Sequence, residues 1–231
     1  MTEEPHFIVS HSAETPAKFI AHQIAAELIA GKNVIWLVPG GSAIEVAVKA
    51  AKIIRENKIR KNSLAIVLTD ERYGPVNHSD SNYRQLIENG FELSEADFYP
   101  VLNGASVADD TNAYSMLLDK LMNKANYKIG LFGIGADYHT AGIKPGSPAV
   151  SSDCWASHFQ GEDYQRITIT PKCIAELDLA VVYALGEGKR DALNYLSTDK
   201  SLSGQPMQAL KLSKKVVVFN DQIGGRYDDS N

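Results

Sequence analysis

The sequence predicts an α/β fold, a Rossmann-like α/β/α sandwich with an open, mostly parallel β-sheet and helices on both faces. Continuous apolar runs at 34–38, 64–69 and 179–185 are typical of parallel strands that are buried on both faces. Segments with apolar residues at helical spacing, such as 44–54, lie between these runs. Strands that alternate with helices in this way favour βαβ units.

The remaining elements continue the same alternation along the chain. Further strands are predicted at 7–10, 97–102, 127–134, 166–170 and 216–219. Helices are predicted at 15–31, 44–54, 81–89, 108–124 and 189–197. Polar and apolar residues alternate at 166–170, which is typical of a half-exposed strand. We expect residues 144–165, the least regular stretch, to form a surface excursion, with a lid as one alternative.

Composition places the chain among ordinary globular proteins. Its 231 residues are 44% hydrophobic and 22% charged, and we expect residues 1–231 to form a single domain. The 23 basic and 28 acidic side chains give a net charge of -5, which argues against a nucleic-acid partner. No apolar stretch approaches the roughly 18–20 residues that span a bilayer, so no membrane association is expected. The oligomeric state stays open between a monomer and a small homo-oligomer.

The cysteine content and the start of the chain bear on the compartment. Cys154 and Cys173 lack the spacing of a disulfide framework or a zinc site, which predicts reduced structural thiols. Residues 1–20 contain charges and prolines and have no apolar core of the signal-peptide type. These features predict a cytoplasmic protein.

The glycine-rich segment Pro39-Gly40-Gly41-Ser42 connects a buried strand to an amphipathic helix. Glycines let a ligand approach the backbone closely, and the free N–H groups at a helix start favour an anion such as phosphate. The alternative is a tight turn in which Ser42 is the helix N-cap. The segment lacks the GK[ST] ending of a P-loop, and by itself it leaves both interpretations open.

Asp70, Glu71 and Arg72 follow the apolar run at 64–69, at a strand end where α/β proteins bind ligands. Arg72 is suited to a bidentate contact with phosphate, or to stabilising negative charge that develops on oxygen. The alternative is a solvated loop with three charges. The polar residues that follow, up to Asn82, favour a ligand site over the solvated loop only slightly.

The segment Gly133-Ile134-Gly135, followed by Asp137 and His139, is the sharpest chemical signal in the chain. A histidine whose second ring nitrogen bonds a carboxylate is held in one tautomer and becomes a better base. This pattern predicts a general base, with an ordinary loop histidine near a carboxylate as the alternative. A dinucleotide-binding G-x-G-x-x-G motif is disfavoured because Tyr138 stands where the third glycine belongs.

Two further cations accompany predicted strands. Arg166 begins the strand at 166–170, and Lys189 lies in a glycine-bearing turn after the run at 179–185. Both are candidates for an anion pocket, with a solvated surface charge as the alternative. The chain has no G-x-S-x-G elbow for a serine nucleophile, and no spacing of His, Cys and Asp suggests a metal site.

Together these segments resemble the 6-phosphogluconolactonase family of the glucosamine-6-phosphate isomerase/deaminase superfamily. The similarity extends over nearly the whole chain, and five motifs match in order and spacing. They are the glycine-rich loop at 39–42, D-E-R-x-x-P with the following His78, Ser81 and Asn82 at 70–82, G-x-G-x-D-x-H-T-A with P-G at 133–146, R-I-T-I-T at 166–170, and G-x-x-K at 186–189. No single match is specific, but the five together are.

The resemblance implies an open α/β/α fold of the isomerase/deaminase type and hydrolysis of a phosphorylated sugar lactone. The implied substrate is 6-phospho-D-glucono-1,5-lactone, whose product in the oxidative pentose phosphate pathway is 6-phosphogluconate. His139 would activate water against the C1 carbonyl, Asp137 would orient His139, and neither a metal nor an organic cofactor is required. The substrate and phosphate contacts that the family pattern implies are Gly40, Gly41, Ser42, Asp70, Asn82, Arg166 and Lys189, with Arg72 near the phosphate or the oxyanion.

Three positions depart from the family pattern. Tyr138 replaces a glycine beside the proposed base, so we expect its ring to narrow the site or to change the lactone that is accepted. Gly142 replaces a serine, and Lys144 replaces an apolar residue. Lys144 either contacts phosphate or is solvated.

Two other functions stay open as alternatives. A glucosamine-6-phosphate isomerase/deaminase is disfavoured because Arg72, Thr140 and Lys144 stand where that branch has Tyr, Ile and Glu. Without that carboxylate, the ring-opening step lacks its acid or base. A non-catalytic sugar-phosphate sensor on the same fold is disfavoured because both Asp137 and His139 are retained.

Overall fold

The computed structural model describes residues 4–57, 59–198 and 201–226 and confirms the predicted α/β class. The strands are β1 (His6–Val9), β2 (Val34–Val38), β3 (Leu64–Leu68), β4 (Asp70–Arg72), β5 (Asp97–Phe98), β6 (Tyr127–Phe132), β7 (Ala156–Gln160), β8 (Gln165–Ile169), β9 (Leu179–Ala184), β10 (Val216–Asn220) and β11 (Gly225–Arg226). The helices are α1 (Glu14–Ile29), α2 (Ile44–Glu56), α3 (Asn82–Glu88), α4 (Val107–Lys124), α5 (Pro171–Ala175) and α6 (Arg190–Leu196).

The main sheet has the order β11-β1-β10-β9-β6-β2-β3-β5, and its neighbouring strands pair in parallel. Every residue of β2, β9 and β10 is buried, which is expected for strands covered on both faces. From β2 the chain first moves outward to β3 and β5, and it then returns to place β6 on the other side of β2. The strand order therefore reverses between β2 and β6, and such a switch point opens a crevice at the carboxyl ends of the strands.

A second, three-stranded antiparallel sheet, with the order β4-β8-β7, lies beside the main one and was not predicted. Residues 144–165, expected to be irregular, contain β7 and a short 3-10 helix at Pro148–Ser151. The prediction of a half-exposed strand at 166–170 was wrong, because β8 is the central strand of this sheet and four of its five residues are buried. β4 was not predicted because its three residues are all charged, so no apolar pattern marks them as a strand. They pair with β8, a strand far along the chain.

The core is built from the faces of the sheet and the helices that pack on them. Its largest fully buried side chains include Trp36 in β2, Phe132 in β6 and Phe219 in β10. Helices α1 and α2, which follow β1 and β2, pack against each other. Within the described ranges, no helix is both long enough and apolar enough to cross a membrane. That residues 1–231 form a single domain stays a prediction.

Candidate active site

Four neighbouring strands of the main sheet, β9, β6, β2 and β3, deliver their carboxyl ends to one edge. The segments that follow them are 186–189, 133–142, 39–42 and 69–72. Because the strands are parallel, these four segments meet around the crevice between β2 and β6. Each of them contains residues that the sequence predicted to be functional.

A cavity of about 380 Å³ occupies this crevice, and every predicted site residue except Asp137 lines it. Those residues are Gly40, Gly41, Ser42, Asp70, Arg72, Asn82, His139, Arg166 and Lys189. Asp137 lies directly behind His139, and it lines an adjoining groove of about 840 Å³. The cavity and the groove share Lys144 and Asp163 as common wall residues.

His139 and Asp137 form a closely paired dyad on the segment after β6. Nδ1 of His139 lies 2.5 Å from Oδ1 of Asp137, which fixes the ring orientation and leaves Nε2 as the nitrogen available to accept a proton. Partial burial works to raise the pKa of Asp137. The hydrogen bond from Lys144 and the charge and hydrogen bond of His139 outweigh burial and lower this pKa to about 2. The carboxylate is therefore ionised at any pH at which the histidine would work.

The dyad depends on a glycine that sequence reasoning recorded only as part of a motif. A Cβ at Gly135 would lie 2.1 Å from both Asp137 Oδ1 and His139 Nδ1, closer than any real side-chain contact. The Gly135 N–H also donates to the His139 carbonyl at 2.8 Å. The sequence signal was present in the G-x-G-x-D-x-H spacing, but its steric reason becomes visible only when the segment folds back on itself.

Tyr138 adopts a left-handed backbone conformation with φ of 68°, which explains why glycine suits this position in the family pattern. Its ring packs edge-on against Tyr195 of α6, with centroids 5.4 Å apart. Tyr138 is not among the residues that line the cavity. The expectation that its ring narrows the site was therefore wrong, because the left-handed turn directs the side chain toward α6.

Lys144 lies on the wall that the cavity and the groove share, and its side chain is partly exposed. That it contacts phosphate stays a prediction. Its Nζ donates to Oδ2 of Asp137 at 3.0 Å, while His139 occupies Oδ1. Both oxygens of the carboxylate are therefore engaged, one by each neighbour.

The glycine loop has the geometry of an anion site. Gly41 has φ of 66°, and a 3-10 turn at Gly41–Ala43 leads directly into α2. The alternative of Ser42 as an N-cap was wrong, since Gly40 and Ala43 hold the cap positions and neither makes a side-chain cap bond. Ser42 is instead exposed at the cavity wall. The N–H groups at this turn and the start of α2 are suited to a phosphate.

Arg72 and Arg166 are direct register partners on the antiparallel strands β4 and β8. The ring of Tyr164 lies near both, with each guanidinium carbon 5.7 Å from its centroid. Nη2 of Arg166 bonds both carboxylate oxygens of Asp163, at 3.0 and 2.8 Å. The Nε atoms of the two arginines are buried and have no hydrogen-bond partner within the described part of the chain. Two fixed cations with donors to spare favour an anionic ligand.

Glu71 supports this wall from behind, a role that the sequence did not reveal. Its buried carboxylate accepts hydrogen bonds from the backbone N–H groups of Arg72, Asn82 and Tyr83 and from the Ser81 hydroxyl, at 2.6–3.1 Å. Burial raises the pKa of Glu71 above its usual value, although these hydrogen bonds oppose the rise. The carboxylate ties the start of α3 to β4 and so fixes the position of Arg72.

Asn82 connects two of the cavity segments. Its Nδ2 donates to the Asp70 carbonyl at 2.9 Å, and a Cβ at Gly40 would lie 2.0 Å from its Oδ1. This Oδ1 is buried and has no partner among the described residues, so it is a candidate acceptor for a substrate hydroxyl.

No group of three or more His, Cys, Asp or Glu side chains in the described ranges is arranged to hold a metal ion.

Comparison with known proteins finds relatives along most of the chain. Among curated relatives, a probable chloroplastic 6-phosphogluconolactonase 3 of Oryza sativa subsp. indica is 25% identical over 227 residues, covering 90% of this chain and 69% of the rice protein. A 6-phosphogluconolactonase of Rhizobium meliloti (strain 1021) is 23% identical over 208 residues, covering 86% of this chain and 88% of that protein.

Solved structures share the fold. A 6-phosphogluconolactonase from Shewanella baltica OS155 superimposes with a TM-score of 0.76 at 22% identity, covering 95% of this chain and 98% of that one. The 6-phosphogluconolactonase from Plasmodium vivax gives a TM-score of 0.79 at 19% identity, covering 96% and 90%. The sequence model of the family described as glucosamine-6-phosphate isomerases/6-phosphogluconolactonase matches residues 10–219. The chain belongs to this family.

Proposed function

We propose that this chain is a 6-phosphogluconolactonase, which hydrolyses 6-phospho-D-glucono-1,5-lactone to 6-phosphogluconate. The observation that carries the proposal is that His139, held by Asp137, lines one cavity with Arg72, Arg166 and Lys189. A base and several cations around one cavity suit a substrate that has both a reactive carbonyl and a phosphate. The rice and Rhizobium relatives carry the same name.

The chemistry follows from the position of the histidine. Nε2 of His139 takes a proton from water while the water oxygen bonds to C1 of the lactone, and the carbonyl electrons move onto oxygen. The carbonyl then re-forms, the bond from C1 to the ring oxygen breaks, and protonated His139 returns its proton to that oxygen. One water is consumed, and the product is a carboxylic acid with a free hydroxyl; the acid then releases its proton to solvent and becomes a carboxylate. General-base assistance of this kind contributes about 10²–10⁴ in rate.

The cavity also has groups that are suited to the phosphate. The N–H groups around Gly41 and Ser42, together with Arg166 and Lys189, provide donors and positive charge in its lining. Arg72 lies beside Arg166 on the paired strands β4 and β8, where it can contact the phosphate or the oxyanion. Binding of the remote phosphate positions C1 against the base, which is how non-reacting groups contribute to rate.

An isomerase/deaminase is less well supported. That chemistry needs a carboxylate at position 144, and the lysine found there is bonded to Asp137. A non-catalytic sensor is less well supported because binding alone does not require a base whose ring is held by a carboxylate 2.5 Å away.

The experiment is hydrolysis of freshly prepared 6-phosphoglucono-δ-lactone by the wild type and by His139→Ala. His22→Ala, an exposed histidine on α1, is the matched control. Because the lactone also opens without enzyme, the rate is measured above that background. We expect wild type and the His22 variant to accelerate opening and the His139 variant to fall to background. Binding of the product without acceleration by the wild type would instead support the sensor.

The cytosol is the compartment that we propose for this activity. Cys154 and Cys173 are unpaired, and burial raises the pKa of the Cys173 thiol so that it stays protonated and unreactive. The rice relatives are named chloroplastic, so localisation of a fluorescent fusion is the direct test.

A further inference from the structure

The site contains a cation that the proposed reaction does not use. Lys144 follows Ile143, which is completely buried. The carbonyl of Lys144 accepts a hydrogen bond from the Ser147 N–H at 3.0 Å. The backbone is therefore anchored on both sides of the lysine. From this anchored position its Nζ reaches Oδ2 of Asp137 at 3.0 Å.

We propose that Lys144 is a positioning residue, which holds Asp137 against His139 so that the imidazole keeps the orientation that presents Nε2. The inference rests on the proposed lactonase function, in which His139 is the base. It concerns a position where this chain departs from the family pattern.

The first part of the argument is geometric. Asp137 is half exposed on a turn, and a carboxylate with one partner can rotate away from it. With Lys144 on Oδ2 and His139 on Oδ1, both oxygens are fixed, and rotation would break two charged contacts. The histidine ring is thereby held in the orientation that presents Nε2.

The second part is electrostatic. Partial burial works to raise the pKa of Asp137, and the hydrogen bond and charge of Lys144 are among the contacts that lower it to about 2. Lys144 therefore helps to keep the carboxylate that holds His139 ionised. The other charged groups around the cavity are unchanged by a substitution at 144, and they are Asp70, Arg72, Asp163, Arg166 and Lys189. Of these, Arg166 is already engaged by Asp163 and lies 3.7 Å from Asp70.

Three substitutions separate the two effects. Lys144→Met removes the donor and the charge, Lys144→Gln keeps a donor without charge, and Lys144→Arg keeps both. Lys120→Met, an exposed lysine on α4, is the control for the same change in net charge. The readouts are kcat and KM for lactone hydrolysis, together with the pH titration of the Asp137 carboxyl carbon by NMR.

For Lys144→Met we expect kcat to fall about three- to tenfold because the dyad is loosened. We expect the NMR midpoint of Asp137 to move upward, because a hydrogen-bond donor and a positive charge that lower its pKa are lost. Lys144→Gln should move this midpoint less and retain most of kcat, and Lys144→Arg should restore both.

Each contrary result is decisive. An unmoved NMR midpoint of Asp137 in Lys144→Met would overturn the inference, even if kcat falls. A rise in KM alone would make Lys144 a substrate contact and would overturn it too. Because the NMR titration needs no substrate, a wild type without lactonase activity would refute the proposed function separately from the role of Lys144.

Discussion

Gly135 and His139 lie so close together that residue 135 cannot carry a side chain. An added Cβ would stand 2.1 Å from His139 Nδ1 and 2.1 Å from Asp137 Oδ1. The Gly135 N–H donates to the His139 carbonyl at 2.8 Å. Gly135 therefore lies against both the backbone and the side chain of the histidine. The glycine is needed for a close approach of the dyad to the backbone.

Gly135→Ala is therefore expected to lose most of its catalytic activity. The methyl group must displace the histidine or the aspartate, and we expect kcat to fall at least about 100-fold, because misplacement by about 1 Å has that effect. The measurement is lactone hydrolysis, with folding checked by circular dichroism. Gly204→Ala is the control, because a Cβ there meets open space. Near-normal kcat in Gly135→Ala would contradict the close packing described above.

The pH dependence of catalysis should reveal one ionisation on the acid side. The pKa of Asp137 is lowered from 3.8 to about 2, so its carboxylate loses its proton well below the working range and stays ionised above about pH 3. Asp137 then adds no ionisation between pH 4 and 8, and the acid limb of log kcat/KM should approach a limiting slope of no more than one. A limiting slope of two in this range would show that Asp137 titrates there.

Asp163→Asn is expected to tighten phosphate binding. Asp163 holds Nη2 of Arg166 through both of its oxygens, and it lines the same cavity. Its carboxylate competes with a phosphate for the guanidinium, so removing the charge should lower KM about three- to tenfold, with kcat little changed. Inhibition by inorganic phosphate should strengthen in parallel.

The control for that experiment is Asp153→Asn, since Asp153 is exposed and does not line the cavity. If Asp163→Asn raises KM, then Asp163 orients Arg166 for the phosphate, and competition is the wrong description.

Gly142→Ser, which restores the residue of the family pattern, is expected to destabilise this protein. A Cβ at 142 would lie 2.8 Å from the Thr168 Cβ and 3.0 Å from the Asp70 Cβ, in a buried region. Overpacking of this kind costs about 1–3 kcal/mol in the free energy of unfolding. Urea denaturation measures the loss, and Gly204→Ser should change stability by less than about 0.5 kcal/mol. Equal stability of the two variants would show that β8 shifts to accommodate the added side-chain atoms.

The sequence by itself determined the alternation of strands and helices and the segments that carry the chemistry. Apolar runs and helical spacing report burial within one element, and both are local properties of the chain. Because parallel strands end at one edge, this local information was enough to place Gly41, Asp70 and His139 in a common crevice.

Tertiary structure alone decided which of these groups touch. The pairing of β4 with β8 places Arg72 beside Arg166, 94 positions away in sequence, and no local pattern encodes that register. Glu71 looked like one of three solvated charges until α3 covered it with donors. The sequence left Lys144 open between a phosphate contact and a solvated cation, and only the turn at 137–144 shows that it bonds Asp137. Contacts between distant segments depend on how the layers pack, and that packing is what the sequence pattern leaves open.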